Sequence, residues 1–75
     1  MQERLCYTTK EVTELTGINR KLLYLYRDEG LLHPTQMGRN YVWERKDLER
    51  FLEWSKGLRL TNHETITISR LKKPL

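Results

Sequence analysis

The sequence is poor in the residues that small proteins use for cross-links. Its 75 residues include one cysteine, Cys6, and two histidines, His33 and His63. A single cysteine excludes an internal disulfide, and these three scattered residues do not have the spacing of a zinc site. The fold must therefore rest on a hydrophobic core, in which Cys6 is expected to be a small buried side chain. We expect neither a metal nor another cofactor.

Long apolar stretches are also missing. No stretch approaches the ~20 residues that cross a bilayer, and Met1 to Arg4 lead into no signal-peptide segment. These absences predict a soluble, cytoplasmic protein without a membrane partner. A domain this small buries only about 60% of its unfolded surface, and no paired carboxylates or activated nucleophile can be assembled from it. We therefore expect a binding module, not an enzyme, and no small-molecule effector is evident.

The charge balance of the chain is basic. Lys and Arg number 14 against 10 Asp and Glu, for a formal net charge of +4 and a pI near 9.5. This balance suits a polyanionic partner without establishing one. Two Trp, four Tyr and one Phe supply large side chains for one compact core.

A first short helix is predicted near the N-terminus. Thr8-Thr9-Lys10-Glu11 reads as a capping box, in which a Thr hydroxyl and the Glu11 carboxylate satisfy free amides. Val12 and Leu15 follow at the spacing of one helix face. Gly17 ends the helix, because glycine readily adopts the left-handed conformation.

A second helix follows after a tight turn. Asn19 is a good N-cap for a helix that runs to about Glu29 and closes at Gly30. Two capped helices around a Gly-Ile-Asn turn are typical of a helix-turn-helix, whose second helix presents its outer face to a DNA groove.

The remaining pattern predicts a small β-hairpin and a third helix. Pro34 forbids further helix, residues 36–40 are rich in turn formers, and residues 41–43 favour a strand. Residues 44–47 supply polar capping chemistry, after which apolar side chains recur at helical spacing to about Lys56, before Gly57. Residues 61–64 fit the cap of a fourth helix, whereas residues 65–68 alternate like a strand, and both alternatives remain open.

An ordered set of residues runs from about residue 5 to residue 58. It comprises residues 7–12, 15–19 and 30–34, together with Tyr26, Tyr41, Trp43 and the pair Asp47-Leu48. This set resembles the DNA-binding domain of the MerR family. The resemblance implies a bacterial or phage transcription factor with a winged helix-turn-helix, mainly helical with a small β-hairpin and three to four helices. We expect this domain at residues 5–58, followed by a C-terminal extension of uncertain structure at residues 59–75.

The chain also departs from the family pattern. The family usually has Arg and two Tyr in the middle of the second helix, where this chain has Tyr24, Leu25 and Tyr26. The family wing carries Gly-Tyr-Arg where this chain has Arg39-Asn40-Tyr41, which displaces the wing Arg by two positions. Full-length members continue into a dimerising helix and an effector domain. We therefore expect a short stand-alone protein, similar to phage excisionases and small regulators, rather than a fragment.

The second helix, about residues 19–29, is the expected reader of the major groove. Asn19, Arg20 and Lys21 lie where side chains reach base edges or phosphates. The helix dipole disfavours cations in a first turn, which indicates a purpose beyond solvation. Tyr24 and Tyr26 fall on different sides of the helix, so we expect Tyr24 to face DNA and Tyr26 to be half-buried with its hydroxyl on a phosphate.

Four further residues complete the expected DNA contacts. Arg27 follows Arg20 by two helical turns and faces the same way. Arg39, in a wing of about residues 35–43, is placed to enter a minor groove or grip a backbone. Tyr41 and Lys10 are expected to reach phosphates. Trp43 is expected to fill the core beneath the wing, with His33 in a loop and His63 capping or exposed.

Sequence-specific binding of double-stranded DNA by a transcriptional regulator is the leading hypothesis. One domain makes few contacts, so we expect a homodimer or a head-to-tail multimer on DNA, assembled through residues 58–71. An excisionase-like factor that bends DNA for a recombinase remains open. A winged-helix module that binds a protein partner also remains open, and the missing central Arg of the second helix favours it.

Overall fold

The computed structural model describes residues 4–74, which form four helices and a small antiparallel sheet. The elements in chain order are β1 (Cys6–Thr8), α1 (Thr9–Thr16), α2 (Arg20–Asp28), β2 (Thr35–Met37), β3 (Asn40–Glu44), α3 (Arg45–Trp54) and α4 (His63–Lys72). This arrangement confirms the predicted fold class, a mainly helical winged helix-turn-helix. No described helix is long and apolar enough to cross a membrane.

The caps of α1 and α2 form as predicted. The Thr8 hydroxyl accepts a hydrogen bond from the Glu11 amide at 3.2 Å, and the Glu11 carboxylate accepts one from the Thr8 amide at 2.9 Å. Gly17 ends α1 with φ of 75°. Asn19 Oδ1 then accepts a hydrogen bond from the Leu22 amide at 2.8 Å. These caps fix where the two helices meet, because each satisfies amides that the helix itself leaves free.

The sheet contains the predicted hairpin and one strand that was not predicted. Its order is β1-β3-β2, with both pairs antiparallel. Gly38 and Arg39 form a two-residue turn, in which Gly38 takes φ of 65°. Glycine at the first central position is the preference of type II′ hairpins. The turn leaves Arg39 exposed at the tip.

Strand β1 corrects the prediction for Cys6, which is exposed instead of buried. Cys6 lies on an edge strand opposite Glu44, and Tyr7 lies opposite Trp43. Side chains alternate between the two faces of a strand, so Tyr7 takes the half-buried position and Cys6 the outer one.

The core lies between the sheet and the four helices. Its members are buried apolar and aromatic side chains: Val12, Leu23, Tyr26, Leu31, Leu32, Trp43, Leu48, Phe51, Trp54, Leu60 and Ile66. Leu15 was predicted to share the inner face with Val12 but is 65% exposed. The inner row of α1 is instead Thr9, Val12 and Thr16, since Thr9 and Thr16 are half-buried and hydrogen-bonded.

Helix α3 is slightly shorter than predicted and begins without the expected side-chain cap. Glu44 occupies the N-cap position but makes no capping hydrogen bond. Asp47, one turn later, accepts a hydrogen bond from the His33 amide at 2.8 Å and ties the preceding loop to α3.

Helix α4 resolves the two alternatives for residues 61–71 in favour of a helix. Asn62 Oδ1 accepts from the Thr65 amide at 2.9 Å, and the Thr65 hydroxyl accepts from the Asn62 amide at 3.0 Å. Ile66 and Ser69, three residues apart, are buried. The alternating pattern of residues 65–68 is therefore not a strand.

Candidate nucleic-acid interface

An open groove of about 590 Å³ separates the start of α1 and the outer face of α2 from the hairpin. It brings together five residues that the sequence singled out: Lys10, Arg20, Tyr24, Arg39 and Tyr41. No acidic side chain lines this wing groove, so its electrostatic character is positive.

The three cations of the wing groove come from three different elements. Lys10, Arg20 and Arg39 are exposed, and within residues 4–74 their side chains have no ion pair or hydrogen bond. Unpaired cations that converge on one concave surface raise the local potential for an anion. A polyanion is the partner that this geometry favours.

Lys21 faces a second groove on the other flank of α2. This groove, of about 500 Å³, is lined by Asn19, Lys21 and Leu22 on one side and by residues 61–63 on the other. Neighbouring helical residues differ by about 100° in direction. Arg20 and Lys21 therefore line different grooves, one on each flank of α2. The Asn19 side chain serves here as the helix cap.

Tyr24, Arg27 and Tyr41 form one cluster at the foot of the wing groove. The Arg27 guanidinium carbon is 4.9 Å from the centroid of each tyrosine ring, and the rings are 5.9 Å apart. All three side chains are half-buried. Tyr24 therefore lines the groove while its ring packs against Arg27 and Tyr41.

Tyr26 does not lie at the groove, and its predicted half-buried position was wrong. It is 5% exposed, and its hydroxyl donates to the Leu60 carbonyl at 2.5 Å. Burial raises the pKa of Tyr26 above its usual value. The reason for its position is Phe51, whose ring lies 5.0 Å away and belongs to the core. The hydroxyl thus links α2 to the segment before α4.

Comparison with known protein families assigns this architecture to a family. The sequence profile of the helix-turn-helix domain matches residues 6–53, more than half of the chain. The chain belongs to the helix-turn-helix domain family. It is accordingly a DNA-binding domain, and double-stranded DNA is its partner. No curated protein and no solved structure matches the chain.

Hydrogen bonds beneath the wing and at the start of α1 support the interface of this helix-turn-helix domain. Trp43 is buried under the wing, as predicted, and its Nε1 donates to the Thr9 hydroxyl at 2.9 Å. This bond connects β3 to the start of α1, next to Lys10. Backbone and side-chain hydrogen bonds from Thr8 and Arg4 lower the pKa of Glu11, which keeps the cap of α1 ionised.

Asp47 and the histidines stabilise loops around the helix-turn-helix. Partial burial opposes ionisation of Asp47, but hydrogen bonds from His33 and Arg50 outweigh it and lower the pKa of this carboxyl. His33 is exposed in its loop, as predicted, and His63 is exposed at the start of α4, in contact with Glu29. Among residues 4–74, no group of His, Cys, Asp and Glu side chains could hold a metal ion.

Sequence reasoning missed several residues of the wing groove, among them Met37 and Asn40, and residues 61–63 of the second groove. Met37 and Asn40 flank the turn and line the wing groove. Met37 is 61% exposed, and an exposed Met beside a hairpin turn is a signal in the sequence. Thr61 and His63 had no such signal, because the structure of their segment was ambiguous.

Proposed function

We propose that the protein is a sequence-specific transcriptional regulator of the MerR type, of bacterial or phage origin. The observation that carries the proposal is the convergence of Lys10, Arg20 and Arg39 on one groove without an acidic side chain. A duplex offers a regular row of phosphates to such a surface, and phosphate contacts provide most of the affinity.

Helix α2 is the recognition helix in this proposal and enters the major groove. Its first turn carries Arg20 and Lys21 on opposite flanks. On the side of the wing, Arg20 contacts a phosphate at the edge of the major groove, and Tyr24 reads base edges. On the other flank of α2, Lys21 and the side-chain NH₂ group of Asn19 contact phosphates, and these contacts position the helix.

The hairpin is the wing and contacts the adjoining backbone or minor groove. Arg39 at the tip is exposed, and a two-residue turn with few conformations holds it there. A narrow minor groove attracts an inserted guanidinium. Lys10 contacts a phosphate between the wing and α2, and the Tyr41 hydroxyl donates to another.

A homodimer or a head-to-tail multimer on DNA completes the proposal. One domain of this size contacts a single short half-site, which is too little for a unique target. Two half-sites one helical turn apart would place both recognition helices on the same side of the duplex. We expect protection of two such sites at saturation.

Quantitative binding to selected duplexes tests the proposal. Duplexes enriched from a random pool should bind at least about a hundredfold more tightly than scrambled duplexes, with the logarithm of affinity falling steeply with the logarithm of salt concentration. Methylation of guanine N7 in the major groove should interfere with binding. A flat salt dependence, or equal affinity for all duplexes, would contradict the proposal. Strong bending of the bound duplex would support the excisionase-like alternative over the regulator.

A further inference from the structure

Arg27 lies near the end of α2, between two tyrosine rings from different elements. Its Cζ atom is 4.9 Å from the ring centroid of Tyr24 in α2 and 4.9 Å from that of Tyr41 in β3. Both distances are inside the ~6 Å within which a guanidinium is attracted to an aromatic face. One cation thus contacts the recognition helix and the wing together.

The polar edge of the same guanidinium is directed to Asp28. Arg27 Nε donates to Asp28 Oδ1 at 3.0 Å, and Nη2 lies 2.9 Å from the same oxygen. The Arg27 side chain is 29% exposed. Its ring-facing surface and two of its donor nitrogens are therefore engaged within the protein, and Asp28 offsets its charge. Arg20 and Arg39, by contrast, have no such partners within residues 4–74.

We propose that Arg27 is a positioning residue that sets the spacing between the recognition helix and the wing and does not contact DNA. The inference rests on the proposed function, since it assigns a role at the same interface. The backbones of α2 and β3 have few close approaches in the described part of the chain. The clamp, defined as Arg27 with Tyr24 and Tyr41, is therefore a direct connection between them.

The clamp connects the two walls of the wing groove and would control the distance between them. Arg20 and Tyr24 line one wall of the wing groove, and Arg39 and Tyr41 line the other. The clamp joins the two walls at their base, so it fixes how far apart the two sets of DNA contacts lie. A wing held in place before binding loses less conformational freedom when it docks.

The first experiment compares two matched substitutions on the same helix face. Arg27→Met should lower the affinity for the selected duplex about tenfold, the effect of one or two lost cation–π contacts. The slope of log affinity against log salt should equal that of the wild type, because no phosphate contact is lost. Arg20→Met removes the same atoms from an unpaired arginine, and its slope should decrease by about 0.9. Arg27→Lys retains the charge and should recover part of the affinity.

The second experiment measures the free protein, so it does not depend on DNA binding. Hydrogen exchange of the wing amides, residues 36–42, should be faster in Arg27→Met than in the wild type, with exchange in α3 unchanged. A slope that decreases by about 0.9 in Arg27→Met, or wing exchange equal to the wild type, would overturn the clamp. Failure of the wild type to select any duplex would instead contradict the proposed function, while leaving the exchange result to decide on the clamp.

Discussion

Helices α2 and α3 begin with the same two residues but use them differently. Arg20-Lys21 opens α2, and Arg45-Lys46 opens α3. In α3 the arginine of the pair has an acidic partner, since Glu49 lies 3.3 Å from Arg45, and Asp47 lies 2.9 Å from Arg50 further along the helix. Lys46 has no ion pair within residues 4–74. In α2 the pair is followed by two leucines, and neither Arg20 nor Lys21 has an ion pair within residues 4–74.

A basic pair at a helix start does not by itself indicate a DNA contact. Both pairs oppose the helix dipole equally, so the dipole argument from sequence applies to both helices. The difference lies in the neighbours, because α3 carries its own carboxylates and α2 faces two grooves that lack them. Charges that are paired within one helix neutralise each other on its surface, whereas unpaired charges over a groove remain available to a partner.

The largest expected effect comes from the first turn of α2. Arg20→Ala combined with Lys21→Ala should weaken binding to the selected duplex about a hundredfold and reduce the salt slope by about 1.8, since two phosphate contacts are lost. Affinity measured at several salt concentrations gives both quantities.

Helix α3 supplies the matched control for this prediction. Lys46→Ala removes a lysine at the second position of α3 that is exposed like Lys21, and Lys72→Ala removes a second exposed cation. The double variant Lys46→Ala with Lys72→Ala loses the same net charge, but its affinity should change less than about threefold. Equal losses of affinity in the two double variants would show that the net charge of the protein, and not the position of the charges in α2, governs binding.

A smaller effect is expected where α3 uses its charge for the fold. Asp47→Asn should lower the free energy of unfolding by about 1–2 kcal/mol, because the carboxylate accepts from the His33 amide and from Arg50. Affinity for DNA should stay within about twofold of the wild type. Denaturant unfolding and duplex titration measure the two quantities separately.

The effect of Asp47 should also depend on pH in a defined direction. The pKa of Asp47 lies below its ordinary value of 3.8 in the folded state, so ionisation favours folding above that value. This contribution is lost as the pH falls through the lower, folded pKa. The stability difference between the wild type and Asp47→Asn should therefore shrink below about pH 4, and a constant difference would argue against an ionised Asp47.

The helix-turn-helix could be predicted from sequence because its signals are local. The hydroxyl of Thr8, the amide of Asn19 and the glycine at position 17 each act within four residues, so their roles follow from spacing alone. Trp43 could be assigned to the core because a large apolar side chain in a strand needs burial.

The errors concern residues whose environment is built by distant parts of the chain. Tyr26 is buried against Phe51, 25 residues later, and its hydroxyl donates to the carbonyl of Leu60, 34 residues later. Cys6 is exposed because β1 pairs with β3, which places it on the outer face of an edge strand. Arg27 and Tyr41 meet across the wing groove, a contact that no local pattern encodes.

The variant Tyr26→Phe tests whether the Tyr26 hydroxyl stabilises the fold or contacts DNA. Loss of the hydrogen bond to Leu60 should lower the free energy of unfolding by about 1 kcal/mol. Affinity for the selected duplex and its salt slope should equal those of the wild type under conditions where both proteins are folded. A reduced salt slope would restore the sequence-based prediction that this hydroxyl reaches a phosphate.

The smallest effect is expected from a charge pair between α3 and the residues that follow it. Lys56 Nζ lies 2.9 Å from Glu53 Oε2, and the two side chains are 70% and 75% exposed. The hydrogen bond and charge of Lys56 lower the pKa of Glu53, yet such an exposed pair gains little because water and salt screen it. Glu53→Gln should shift the melting temperature by less than about 2 °C and leave duplex affinity unchanged within about twofold. A larger thermal shift would mean that α3 depends on its paired charges, and the core residues Leu48, Phe51 and Trp54 would then not suffice to hold this helix in place.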